Sequence, residues 1–196
     1  MLIVNYIIYF TDTPISGIVP TIAIFVLALS VNAQSYQVDA SKSTIKWNGK
    51  KVTGEHTGQI KMKEGSFEMK NDQITKGKFV IDMSSITCTD LEGEWNDKLI
   101  GHLKSDDFFN TDKFPEAKLV INTVEGTTAN GEITIRNIVQ PISFEFNIEE
   151  NTEDKVVVSA TLNVDRTKHE VAYGWSIDNA MLSNEFTMEV KLIATK

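Results

Sequence analysis

The chain has 196 residues, the length of one ordinary domain. It carries 19 lysines and arginines against 27 aspartates and glutamates, and the formal net charge of −8 argues against a protein that binds nucleic acid or an anionic membrane surface. Cys88 is the only cysteine, so an intrachain disulfide is excluded, and we expect this thiol to be a small buried apolar group.

The first 33 residues have the pattern of a secretory signal peptide. Residues 15–31, ISGIVPTIAIFVLALSV, are almost wholly apolar, and they end in Val31-Asn32-Ala33, a small-residue site of the kind that signal peptidase cleaves. The alternative is an uncleaved membrane anchor, because the apolar run approaches spanning length. We expect cleavage near Ala33, a mature domain of residues 34–196, and a periplasmic or secreted location.

The hydrophobic pattern after residue 34 has a period close to two, which predicts β-strands with one dry and one wet face. Residues 142–148, ISFEFNI, show the alternation most clearly. The apolar members of the predicted strands are, in chain order, Ile45, Trp47, Ile60, Met62, Phe67, Met69, Phe79, Ile81, Met83, Ile133, Ile135, Ile142, Phe144, Phe146, Ile148, Val156, Val158, Ala160, Leu162, Val164, Phe186, Met188, Val190 and Leu192. About eight such strands must stack as two sheets or close into a barrel.

Turn-forming residues separate the strands, and one segment departs from the period of two. We predict turns at 48–49, 64–65, 71–72, 129–131, 136–137 and 150–154, which are rich in Asn, Gly and acidic residues. In the exceptional segment, Leu91, Trp95, Leu99 and Leu103 recur every four residues. This spacing predicts a short helix over 91–103.

The three histidines, His56, His102 and His169, show no spacing typical of metal ligands or of a hydrolase. We therefore expect no metal site, no cofactor and no catalysis, with a hydrolase built on His56, His102 and nearby acids as an alternative. Arg166 follows Asp165 at a strand end, where it could form an internal ion pair or grip a polar headgroup.

Several motifs resemble those of one family. They are YQVDASKSTIKW at 36–47, VTGEHTG at 52–58, DMSSI at 82–86, HLKSDDFF at 102–109 followed by Phe114-Pro115, GEITIRNIVQPI at 131–142, and the Asp165-Arg166-Thr167 tripeptide. On these residues the mature chain is similar to the YceI-like family of exported polyisoprenoid-binding proteins.

The resemblance implies an all-β, lipocalin-like antiparallel barrel of about eight strands, with the short helix at one end. It implies a bore that holds a long-chain isoprenoid lipid or a quinone-like molecule, a role as carrier or store, and a membrane-associated loading partner. The expected lining residues are Trp47, Phe79, Ile81, Phe108, Phe109, Phe114, Ile135, Phe144, Phe146, Leu162 and Phe186. The expected headgroup or rim residues are His56, His102 and Arg166. A filled barrel that acts only as an interaction module is a further alternative, and the sequence leaves the oligomeric state open.

Overall fold

The computed structural model describes residues 33–172 and 181–196, which form nine strands, one α-helix and one short 3₁₀ helix. The predicted signal peptide lies outside the described residues, except for Ala33. The elements in chain order are β1 (Gln34–Val38), β2 (Thr44–Lys51), β3 (Gly54–Lys70), β4 (Gln73–Cys88), α1 (Gly93–Lys104), β5 (Glu116–Glu125), β6 (Thr128–Ile135), β7 (Ile138–Asn151), β8 (Lys155–Asp165), the 3₁₀ helix (Arg166–His169) and β9 (Leu182–Thr195).

Strands β2 to β9 close into an eight-stranded antiparallel barrel. Neighbours follow the order β3-β2-β9-β8-β7-β6-β5-β4, and β4 pairs again with β3, which completes the ring. The short β1 continues beyond the start of β2, where Tyr36 pairs with Phe67 of β3 and Val38 pairs with Ala194 of β9. The prediction of an all-β, lipocalin-like barrel is therefore confirmed, and the stacked-sheet alternative is wrong.

Because neighbouring strands are antiparallel, alternate connections lie at the same end of the barrel. The end that we call the mouth end carries the β2–β3 turn, residues 89–115 with α1, the β6–β7 turn at 136–137, and the 3₁₀ helix after β8. The other end, which we call the far end, carries the connections at 39–43, 71–72, 126–127 and 152–154. At the far end the ring of Tyr36 stacks on Phe67, with 5.5 Å between ring centroids.

Two predicted turns are confirmed by their backbone angles. Asn71 and Asp72 have φ of 51° and 62°, and Arg136 and Asn137 have φ of 52° and 62°. Two consecutive residues of positive φ are the signature of a type I′ hairpin turn, which suits the twist of the flanking strands.

Three other predicted turns are wrong, because residues 48–49, 64–65 and 129–131 lie inside β2, β3 and β6. Gly65 and Gly131 serve close packing instead of chain reversal. A Cβ atom at Gly131 would lie 1.9 Å from the carbonyl oxygen of Val120, and one at Gly65 would lie 2.8 Å from the ring of Phe79. Glycine inside a strand often marks such a close approach.

The helix α1 begins two residues later than predicted, and Trp95 does not face the barrel. Trp95 is 70% exposed, whereas Leu103 is buried and Leu99 is partly buried against the core. Residues four apart on a helix are rotated by about 40° from each other around the helix axis. Leu99 is rotated by this angle from Leu103, and Trp95 is rotated twice as far and no longer faces the barrel. Asn96 takes that place, and its amide donates to the carbonyl oxygens of Cys88 and Leu91. No helix in the part of the chain that the structure describes is both long enough and apolar enough to cross a membrane.

Candidate functional site

The barrel encloses a cavity of about 220 Å³ whose walls are almost entirely apolar. All eight barrel strands, α1 and the segment after it contribute side chains to its lining. Ten of the eleven predicted lining residues are among them: Trp47, Phe79, Ile81, Phe108, Phe109, Ile135, Phe144, Phe146, Leu162 and Phe186. The period of two placed the strand residues of this set on the inner face, and Phe108 and Phe109 reach the cavity from the segment after α1. Their contact with a ligand stays a prediction.

Trp47 lies in the wall of the cavity, where a hydrogen bond orients its indole ring and a glycine on the neighbouring strand leaves room for it. Its indole Nε1–H donates to the carbonyl oxygen of Thr87 over 3.0 Å. The cross-strand partner of Trp47 is Gly58, where a Cβ atom would lie 2.6 Å from the indole and 1.8 Å from the oxygen of Thr87. Gly58, in the VTGEHTG motif, is thus required for the indole to lie flat against the wall.

Phe108 and Phe109 close part of the mouth end. Both are 7% exposed, and their rings meet edge to face with centroids 4.9 Å apart. Phe109 also contacts the ring of Phe186 on β9, at 6.3 Å. Arg136 fixes this segment from the β6–β7 turn, because its Nη1 donates to the carbonyl oxygens of Phe108, at 3.0 Å, and of Glu170.

Phe114, the eleventh predicted lining residue, does not line the cavity. It is half-buried, and the cations of Lys113 and Arg136 lie over its ring at 5.2 Å and 5.9 Å from the centroid. The backbone N–H of Phe114 donates to the carbonyl oxygen of Asn110, so the chain turns here before β5. The ring of Phe114 therefore lies on the outer side of this segment, whereas Phe108 and Phe109 lie on the side that lines the cavity.

Among the residues that the structure describes, the polar and charged side chains of the lining all belong to the mouth end: Lys50, His56, Arg166, Ser183 and Glu185. His56 is paired with Asp90, which follows β4, and 2.8 Å separates the imidazole Nδ1 from Oδ2. The other carboxylate oxygen accepts from the backbone N–H of Thr57, at 2.7 Å, and from the Cys88 thiol, at 3.2 Å. Asp90 was missed in the sequence, because 34 residues separate it from its partner.

These hydrogen bonds set the ionisation of the cluster. Desolvation by itself would raise the pKa of Asp90, but the bonds from Thr57, His56 and Cys88 outweigh it and lower that pKa to about 2. Burial raises the pKa of Cys88, which is 8% exposed as expected of a small apolar group. The cluster therefore combines an ionised carboxylate with a protonated thiol.

Arg166 is 3% exposed, and its bonds join the 3₁₀ helix to Val171 and to the start of β9. Its guanidinium donates to the carbonyl oxygens of Ser183, Val171 and Leu182 at 2.8, 2.8 and 3.3 Å. Burial lowers its pKa from the ordinary value. The carboxylate of Asp165 instead accepts from the backbone and hydroxyl of Thr167. These contacts give Arg166 a structural role at the rim, with one side against the cavity.

The other two histidines have separate surroundings. His102, a predicted rim residue, is not in the lining but packs edge-on against Phe108, with centroids 5.2 Å apart. His169 is 1% exposed, and its Nδ1 lies 3.1 Å from the carbonyl oxygen of Ile138. Burial lowers the pKa of both imidazoles. Among the described residues, no three His, Cys, Asp or Glu side chains gather as metal ligands would.

Solved structures share this architecture. BcnA of Burkholderia cenocepacia superposes with a TM-score of 0.68 at 19% identity, covering 81% of this chain and 99% of that protein. A polyisoprenoid-binding domain of Saccharophagus degradans gives 0.61 at 15% identity, covering 82% and 97%. The YceI protein of Campylobacter jejuni gives 0.54 at 19% identity, covering 63% and 74%. At these identities the likeness establishes the fold.

Sequence comparison identifies the family of the chain in addition to its fold. A UPF0312 protein of Staphylococcus aureus strain USA300 is 30% identical over 104 residues, which is 48% of this chain. The chain spans 60% of the length of that relative. The family model of the YceI-like domain matches residues 36–194, from β1 to the end of β9. The chain therefore belongs to the YceI-like family.

Proposed function

We propose that this protein binds a long apolar lipid of the isoprenoid class in the bore of its barrel. The observation that carries the proposal is the cavity itself, whose lining in the described part of the chain is apolar everywhere except at the mouth end. Apolar pockets with a few polar groups at one end are typical of sites for amphipathic ligands. The likeness to a polyisoprenoid-binding domain and the membership of the YceI-like family support the same ligand class.

Burial of the chain would supply the affinity. Transfer of each CH₂ group from water contributes about 0.8 kcal/mol, so a five-carbon isoprene unit contributes about 4 kcal/mol. A few units would offset the cost of ordering the ligand in the bore. The rings of Phe144, Phe146 and Phe79 offer a wide apolar contact surface for such a chain.

In this proposal the protein is a carrier or store that performs no chemistry. Cleavage near Ala33 would release it to the periplasm or the exterior, where a membrane-associated partner would load an isoprenoid or quinone-like molecule. The His56–Asp90 pair is the feature closest to a hydrolase site. A hydrolase with a covalent intermediate would also need a side-chain nucleophile, and the thiol in this cluster is buried with a raised pKa, which disfavours the reactive thiolate.

Organic extraction of purified protein followed by mass spectrometry tests the proposal, together with displacement of the fluorescent probe N-phenyl-1-naphthylamine by geranylgeraniol. We expect a long apolar molecule in the extract and saturable displacement of the probe. An extract without such a molecule, together with a probe that geranylgeraniol does not displace, would favour the filled-barrel alternative. Stoichiometric zinc that is lost in His56→Ala would favour the hydrolase instead.

A further inference from the structure

We infer that His56, oriented by Asp90, is the anchor for the polar end of the bound lipid, and that this end is a neutral hydroxyl group such as an alcohol or a phenol. The inference rests on the proposed function, because it concerns the end group of the same ligand. The imidazole Nε2 is the atom that would accept the hydrogen bond of the hydroxyl group, and lipids with this group should bind in preference to their phosphorylated forms.

The position of His56 on β3 directs its ring toward the cavity. His56, Gly58 and Ile60 alternate along the strand, and both His56 and Ile60 line the cavity. The cross-strand partner of His56 is Gly49, which pairs on its other side with Phe186. Gly49 also lines the cavity, and the nearest side-chain atom to a Cβ placed there would be Trp47 Cζ3, at 4.0 Å. The missing side chain leaves space beside the imidazole, at the level where the apolar bore ends.

Asp90 determines which ring nitrogen is offered to a ligand. An ionised carboxylate accepts hydrogen bonds and donates none, so the Nδ1 atom that lies 2.8 Å from it carries a proton. The bonds from Thr57 and Cys88 hold the carboxylate in place from the other side. In the neutral imidazole, Nε2 is then the acceptor atom. The group that complements it is a hydroxyl, which can donate.

The charges around the mouth do not suit a phosphate end group. Phosphate sites in proteins gather several arginine or lysine donors. Among the described residues of the lining the cations are Lys50 and Arg166, and the guanidinium of Arg166 donates to the backbone carbonyls of Ser183, Val171 and Leu182. Glu185 and Asp90 add negative charge to the same region. A dianionic phosphate would lie near the two carboxylates of Glu185 and Asp90, and the exposed ammonium of Lys50 would offset only part of their repulsion. A neutral hydroxyl group experiences no such repulsion.

The experiment compares three ligands with the same twenty-carbon chain at pH 8: geranylgeraniol, its methyl ether and geranylgeranyl phosphate. The ether retains the oxygen but cannot donate a hydrogen bond. Affinities are measured by displacement of N-phenyl-1-naphthylamine from the folded full domain. We expect the alcohol to bind about tenfold more tightly than the ether, a difference of about 1.4 kcal/mol, and more tightly than the phosphate.

Variants of the anchor isolate its contribution. His56→Phe should bind the ether as the wild type does and should lose the preference for the alcohol. His56→Gln, with a smaller polar side chain, is a second variant in which the preference can be measured if His56→Phe does not fold. Asp90→Asn should reduce the preference and alter the ¹⁵N shifts of the His56 ring, which report the tautomer, so a positioning role is distinguished from a loss of folding. Glu55→Gln, next to His56 on β3 and exposed, is the matched control and should change nothing.

The outcomes distinguish a failure of the His56 anchor from a failure of lipid binding as such. If the alcohol and the ether bind equally to the wild type, or if His56→Phe retains the preference, the anchor is wrong although the bore still binds lipid. If the phosphate binds most tightly, the neutral end group is wrong. If none of the three ligands displaces the probe, the proposed function fails, and the anchor fails with it.

Discussion

Ala160→Phe should weaken lipid binding strongly while leaving the barrel folded. Ala160 lies on the inner face of β8, between Val158 and Leu162, and all three line the cavity. A phenyl ring there would occupy bore space equal to about three methylene groups of a ligand, at about 0.8 kcal/mol each. The lost contact is about 2.4 kcal/mol, so the affinity for geranylgeraniol should fall about fiftyfold. The same ring would fill empty apolar space, so stability should be unchanged or increased.

The assay is probe displacement by geranylgeraniol, with urea unfolding measured on the same samples. Thr161→Phe is the matched control, because it adds the ring at an exposed position on the other face of β8 and should leave affinity unchanged. Normal binding by a folded Ala160→Phe variant would show that the ligand does not occupy the bore. A loss of stability above about 2 kcal/mol would show that the wall is already close-packed at this point.

Three further predictions concern packing, dynamics and pH. Gly58→Ala should lower the free energy of unfolding by about 3 kcal/mol in urea titrations. Gly101→Ala, in a helix with open space around it, should raise the free energy of unfolding by about 0.5 kcal/mol or more. Equal effects of the two substitutions would contradict the crowding at Gly58. Arg136→Met should speed amide hydrogen exchange in residues 105–114 at least tenfold, and unchanged exchange would mean that the segment is held by packing alone. Burial lowers the pKa of His169, so the unfolded chain binds a proton that the native barrel does not, and stability should fall as the pH drops below about 6.5. His169→Gln should make the free energy of unfolding less dependent on pH between 7.5 and 5.5. An unchanged slope would mean that other groups cause the pH dependence.

The inner wall of the barrel was predictable because strand geometry converts sequence alternation directly into side-chain direction. Leu162, Phe144 and Phe186 could be placed on one face without knowledge of their neighbours. The positions of glycines were not predictable in this way. Gly65 and Gly131 have the local appearance of turns, but their role depends on Phe79 and Val120, which approach from the neighbouring strands β4 and β5.

The mouth end was only partly predictable, for a related reason. Phe108 and Phe109 lie inward as expected, but Phe114 turns outward because Asn110 accepts a hydrogen bond from its backbone. Trp95 shows how a spacing of four drifts around a helix that turns every 3.6 residues. The pairing of His56 with Asp90 depends on a contact between the start of β3 and the end of β4, which no local pattern encodes.

The position of the last strand has a practical consequence for single-molecule work. Thr195 pairs with Gln37 of β1 and with Lys155 of β8, so β9 ends at the far end of the barrel. A tether or fluorophore attached after Lys196 would therefore emerge on the side opposite His56 and Phe108. Barrels immobilised through that tether would present their openings to the solution, and the residence time of individual ligand molecules could be recorded without the linker obstructing their path.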